Sequence, residues 1–214
     1  MKTPHIGWSS HLYPLEAADF DKVPDYDGEP LPETELPDDD VVLFIRPDGP
    51  DALLRGRGKL AAALATGDPR ATVDVRIVFK PSIAKWNLPA TLIRVLRNHY
   101  RYRGTGVYHI SVAAVRELGL ERAIRSVEHP QKRGKEDRAA AMRKLLDSLR
   151  TNGYNDKKPI HVMLCRTFGR VDSLRQGHHR VSACMECGID RMAVAFSAAG
   201  ALPAVLDSRR RKGR

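Results

Sequence analysis

Leu174-Arg175-Gln176-Gly177-His178-His179-Arg180-Val181-Ser182-Ala183-Cys184-Met185-Glu186-Cys187-Gly188 is the stretch whose reading decides the fold. Val181 to Cys187 reads as a short helix of small and apolar residues closed by Gly188. Pro159-Ile160-His161-Val162-Met163-Leu164 before it and Met192–Phe196 after it read as strands. A strand, a turn, a glycine, a helix, a glycine and a strand make one α+β unit. The junction at Gly177 suits an anion. Backbone N–H groups at a helix start lack intrahelical acceptors, and a glycine there lets a phosphate approach closely. Arg180, one turn in, can fork onto phosphate oxygens. His178 and His179 can donate to a phosphate or shuttle a proton near neutral pH. The competing reading pairs Arg180 with a carboxylate such as Asp172 and leaves the histidines as polar surface residues.

The same order recurs 121 residues earlier. Leu53-Leu54-Arg55-Gly56-Arg57-Gly58-Lys59-Leu60 and the helix to Ala65, closed by Gly67, align with 174–188 without a gap. Each copy has a base three residues after its first glycine, namely Lys59 and Arg180. The offset also sets the strand Val41–Ile45 on the strand that contains Val162 and Leu164, and Thr72–Phe79 reads as the strand that follows. The first copy lacks the two histidines, so it reads as degenerate. Chance convergence of a common pattern is the alternative.

Outward from the two copies, residues 1–40 read as an acidic, proline-rich extended lead, with prolines 14, 24, 30, 32 and 37 breaking regular structure. Residues 41–80 hold the degenerate unit, 81–106 a helical linker, 107–200 the main domain and 201–214 a basic tail. Residues 88–128 read as mainly helical, with Asn98–Gly104 basic and interleaved with tyrosines. Ser111 reads as the N-cap of a helix over Val112–Leu118, and Glu121–Val127 resumes after a glycine, the spacing of a helix-turn-helix. Lys135–Arg150 carries Ala139, Met142, Leu145, Leu146 and Leu149 on one stripe and ends at Asn152-Gly153.

The chain of 214 residues carries 36 basic and 26 acidic side chains, a net charge of +10. The first 40 residues hold eleven acids against two bases, so the rest carries 34 bases against 15 acids. A body this basic attracts polyanions, and the acidic lead is a candidate to fold over it and compete. Three cysteines cannot staple a chain of this length. With no apolar leader, they point to a reducing, cytoplasmic setting. Cys184 and Cys187 form a C-x-x-C late in a helix, and a zinc site needs about four ligands, so core thiols are the reading. The longest apolar stretch, Met192–Leu206, is about 15 residues and is broken by Ser197, Gly200 and Pro203, short of the roughly 20 a bilayer requires. No membrane partner is expected.

The run from the long helix through Pro159-Ile160-His161-Val162-Met163, Gly177-His178-His179-Arg180, Gly188-Ile189-Asp190 and the last strand resembles the ParB/sulfiredoxin-like superfamily over residues 107–197. Its box of the form G-x-x-R or G-x-H-R opens a helix after such a strand. The resemblance implies a ParB/sulfiredoxin-like mixed sheet with short helices plus a helical middle segment. It implies a phosphate site lined by Gly177, His178, His179 and Arg180, with a nucleoside triphosphate (ATP or CTP) and Mg²⁺ as the suspected cofactors. Glu128, in Glu128-His129-Pro130-Gln131-Lys132-Arg133, stands where kinase members keep a general base, so Glu128, His178 and His179 are the catalytic candidates. Sulfiredoxins carry cysteine where this chain has His178, which argues against sulfinic acid reduction. Partition proteins continue into a longer DNA-reading helical domain after the box, so sequence-specific partition binding is not expected here unless the helix pair at 111–127 substitutes for it.

The expected function is nucleotide or phosphate binding on or with DNA, with hydrolysis of a triphosphate or phosphodiester open. The alternatives are a nucleotide-dependent kinase of a small hydroxylated molecule and a non-catalytic DNA-associated module. DNA and a nucleotide are the expected partners, and a homodimer is compatible with them. The metal ligands cannot be read from the residues.

Overall fold

The computed structural model describes residues 6–31, 36–46, 49–80, 101–118, 136–164 and 172–199. Ten strands lie among them: β1 (Gly7–Trp8), β2 (Tyr13–Glu16), β3 (Val41–Ile45), β4 (Ala52–Arg55), β5 (Thr72–Phe79), β6 (Arg101–Arg103), β7 (Tyr108–Ser111), β8 (Ile160–Leu164), β9 (Ser173–Gln176) and β10 (Arg191–Ala199). A 3₁₀ helix spans Ala17–Phe20, and four α-helices are described: α1 (Arg57–Ala65), α2 (Val112–Arg116), α3 (Glu136–Asn152) and α4 (His178–Glu186). The strands form one mixed sheet in the order β4-β3-β5-β2-β7-β10-β8-β9, with β1 added on β5 and β6 on β10.

That order is a palindrome of two equal halves. The parallel pair β3–β5 matches Val41 to Val75, and β8–β10 matches Val162 to Phe196, the same partners 121 residues on. In each half the third strand folds back antiparallel, with a register shift just before Leu43 and just before Val162. Each half also adds two short antiparallel strands to its long one, β1 and β2 on β5, and β6 and β7 on β10. β2 and β7 meet at the centre through Leu15 and Ile110.

Burial explains the strand sequences. Val41, Leu43 and Ile45 join Val75, Ile77 and Phe79 in the main core, while Val42, Phe44 and Val78 turn to a smaller cluster with Ile6 and Leu31. A strand buried on both faces needs a continuous apolar run, which Val-Val-Leu-Phe-Ile supplies. The main core runs through both halves: Tyr13 packs edge-on against Phe196 at 5.0 Å, and Tyr108 lies 6.0 Å from the same ring.

The extended lead expected over residues 1–40 is corrected in its first part. β1 and β2 are built into the sheet and the 3₁₀ helix follows β2, with Tyr13, Leu15, Ala17 and Phe20 buried. Pro14 is tolerated because β2 meets β7 at one residue pair, so the sheet asks little of its missing N–H. The helical expectation over 88–128 is corrected at β6 and β7. Ser111 does cap α2, its hydroxyl accepting from Ala114 N at 3.2 Å. The remainder of that segment, including residues 81–100 and the second helix of the expected helix-turn-helix, lies outside the described residues, as does the tail 201–214. Among the described residues, no helix is long and apolar enough to cross a membrane.

Two buried carboxylates cross-link the halves. Asp172, between β8 and β9, accepts from Tyr13 Oη at 2.7 Å and Ser10 N at 3.1 Å in the first half. Asp51, between β3 and β4, accepts from Tyr108 Oη at 2.8 Å, Gly106 N at 3.0 Å and Thr105 N at 3.2 Å in the second. Burial, and next the adjoining carboxylate, push both tyrosine hydroxyls far above their usual range, so each remains a neutral donor.

Candidate functional site

α4 starts at a left-handed Gly177, with φ 104° and ψ 10°. A Cβ there would fall 2.5 Å from Cγ2 of Ile160, so the glycine lets the turn lie against the start of β8. Gly56 has nearly the same backbone, φ 101° and ψ 10°, and a Cβ there would meet Asp40 O at 2.6 Å and Val41 Cα at 2.7 Å. The first backbone bond of α4 runs from Val181 N to Gly177 O at 2.9 Å. The N–H groups of His178, His179 and Arg180 therefore have no acceptor within the helix. Val181 and Cys184 face the core, and His179, on the other side of the first turn, is exposed.

His178 is half-buried, and its Nδ1 is enclosed without a hydrogen-bond partner among the described residues. Burial, and then the neighbouring His179, lower its pKa below the ordinary 6.5, so it is neutral at pH 7. Arg180 does not pair with Asp172. Its Nη1 donates to Lys158 O and, at 2.9 Å, to Pro159 O, tying the first turn of α4 to the chain ahead of β8. Lys59, its counterpart, pairs with Asp40 ahead of β3. Arg57, the counterpart of His178, bonds Asp25 Oδ1 through Nε at 3.0 Å and Phe20 O through Nη1 at 3.3 Å, and its Nη2 donates to Val23 O. The first half thus has its basic turn occupied by its own chain, whereas the second presents His178 and His179.

Gly177, His178, His179 and Arg180 lie together at this turn. Glu128 lies outside the described residues, as does Cys165. Cys184 is buried, its thiol pushed up to about 11 chiefly by burial, and Cys187 is half-buried with Sγ 3.8 Å from Leu146 O. Both are packing thiols.

A second polar cluster sits between the halves. Glu16, Asp19 and His109 bring ligand atoms within 4.8 Å of one another. His109 is already held between carboxylates, with Nδ1 3.0 Å from Asp19 and Nε2 3.0 Å from Asp156, while Arg191 balances Glu16 at 2.7 Å. The hydrogen bond to Asp19 is the largest cause raising its pKa to about 9, against the opposing effect of burial. At neutral pH the ring is an imidazolium bridging two anions, and the cluster is a closed ion-pair network.

The sequence reading missed Asp51 and gave Asp172 only as a partner for Arg180, although each stands five residues before its glycine and two further steps of the 121-residue alignment pair them. It also missed Tyr13 and Tyr108, whose partners are remote in sequence. The chain matches no protein-family model, no curated protein and no solved structure.

Proposed function

We propose that the chain is a ParB-like protein that binds the phosphate of a nucleotide or phosphodiester at the start of α4 and works on or with DNA. The observation that carries the reading is His178: an enclosed imidazole nitrogen without a partner, at a glycine-opened helix start with open N–H groups. An anion there gains the helix N-terminal field, the first-turn donors and a proton on His178. His179 supplies a second, solvent-facing imidazole. Arg180 holds the turn against Lys158 and Pro159, so its forking onto phosphate requires it to leave those carbonyls. The net charge of +10 favours a polyanionic partner.

The test is equilibrium binding of ATP, CTP and GTP with Mg²⁺, with and without duplex DNA, to the intact chain and to His178→Ala/His179→Ala. Saturable nucleotide binding that the double substitution weakens at least tenfold is expected, and DNA-stimulated turnover would select hydrolysis. No binding of any nucleotide, or affinity untouched by the double substitution, would reject the site.

A further inference from the structure

The two outer strands of the palindromic sheet, β4 and β9, hold equivalent places in the strand order, with β9 slid two residues along β8 relative to β4 on β3, but among the described residues only β4 is covered. On β4, Leu53 turns its backbone outward. Leu53 N donates to Pro24 O at 2.8 Å, and Tyr26 N donates to Leu53 O at 2.9 Å. Pro24-Asp25-Tyr26 thus lies on the edge as a short parallel strand, bridged at Asp25 to Leu53. Pro24 fits because only its carbonyl is used. Asp25 then reaches Arg57 at the start of α1.

Leu174 occupies the same place on β9. It stands opposite Val162 just after the register shift, as Leu53 stands opposite Leu43, and each lies three residues before its left-handed glycine. Its N–H and C=O therefore face outward as well. Among the described residues no backbone group bonds them, and Ser173, Arg175 and Gln176 are exposed. His178, which stands where Arg57 grips Asp25, has a ring nitrogen with no partner. The edge, open among the described residues, and the unpartnered ring nitrogen of His178 mark the two points at which the first half holds its own acidic strand.

We propose that the β9 edge takes up an extended acidic peptide segment of a partner protein by parallel strand addition at Leu174, with an Asp or Glu of that segment facing His178. Main-chain bonds to an open edge supply affinity and side-chain pockets supply selection. The exposed Arg175 and His179 beside the edge, and the exposed Lys157 and Lys158 ahead of β8, suit an acidic sequence. The segment contributes a carbonyl to Leu174 N, then a carboxylate toward His178, then an N–H to Leu174 O. This site goes beyond phosphate binding and needs no phosphate.

The chain's own Val23-Pro24-Asp25-Tyr26-Asp27, made as a fluorescent peptide, is the probe. Binding is followed by anisotropy, and site by amide exchange at Leu174 and Leu53 in the intact protein. Saturable binding that slows exchange at Leu174 is expected. A peptide N-methylated at its tyrosine, which cannot donate to Leu174 O, should bind about tenfold more weakly, and so should one with Asn for its central Asp. His178→Ala should erase the preference for Asp over Asn. A Leu174 amide already as slow as that of Leu53 in the unliganded chain would overturn the proposal. Binding that ignores N-methylation, or that leaves exchange at Leu174 unchanged, would do the same. Peptide binding measured without phosphate keeps this outcome separate from that of the phosphate site.

Discussion

At Gly177 one residue answers two demands. Its φ of 104° lies where L side chains are strained, and Ile160 leaves no room for a Cβ. Gly177→Ala should therefore cost about 2–4 kcal/mol from backbone strain and overpacking together. Gly58→Ala, in α1 with nothing within 4 Å, should instead stabilise by about 0.5–1 kcal/mol. Urea unfolding of both variants checks the pair, and equal effects would contradict the steric account. The neighbouring His178 gives a pH prediction. Its lowered pKa means that the unfolded chain takes up its proton more readily, so stability falls as pH drops through 6.5 toward the lowered value. A bound anion favours that proton. Sulfate, whose charge is constant over this range, should bind more tightly at pH 5.5 than at 7.5, and His178→Ala should flatten that dependence. Titration by calorimetry measures it, and an unchanged slope in the variant would move the proton to another group.

At the element scale, β7 lies at the seam between the halves. Its His109 reaches Asp19 in the 3₁₀ helix of the first half and Asp156 between α3 and β8 in the second, with Glu16 and Arg191 beside them. The folded pKa of about 9 lies above the ordinary 6.5. The stabilisation is thus complete below about 6.5 and is lost as pH rises through about 9. Tm should fall more steeply between pH 7 and 10 in the native chain than in His109→Gln, and parallel curves would show that the imidazolium bridge does not support the seam. These elements also mark what the sequence could tell. β3 and β5 were readable because five- and eight-residue apolar or alternating runs carry a period, and α3 because its apolar stripe repeats over four turns. β1, β2, β4, β6, β7 and β9 have four residues or fewer, too short for periodicity to separate strand from turn. The helix expected from Val181 starts at His178 because its polar first turn carries no apolar signal. The glycine box was legible because it is local, whereas the ion-pair partners of Arg57 and His109 and the carbonyls that hold Arg180 depend on how distant segments meet.

Across the whole molecule, the two halves are locked by exchange. Tyr13 of the first half satisfies Asp172 of the second, and Tyr108 of the second satisfies Asp51 of the first. Neither half can swing away without stranding a buried carboxylate, and the main core passes through both. The acidic segment 1–38 is accordingly no detachable cover, because removing it would take out β1, β2 and Tyr13. The ion pairs of Asp25 with Arg57 and Asp40 with Lys59 still bring part of that acidity onto the basic turn of α1. Tyr13→Phe and Tyr108→Phe each delete one hydrogen bond to a carboxylate that keeps backbone donors, so each should cost about 1.5–3 kcal/mol. Since the halves share one core, each variant should lower a single cooperative transition, seen identically by tryptophan fluorescence and by circular dichroism. Two separated transitions in either variant would mean that the halves unfold independently and that the Tyr–Asp exchange joins two domains instead of closing one.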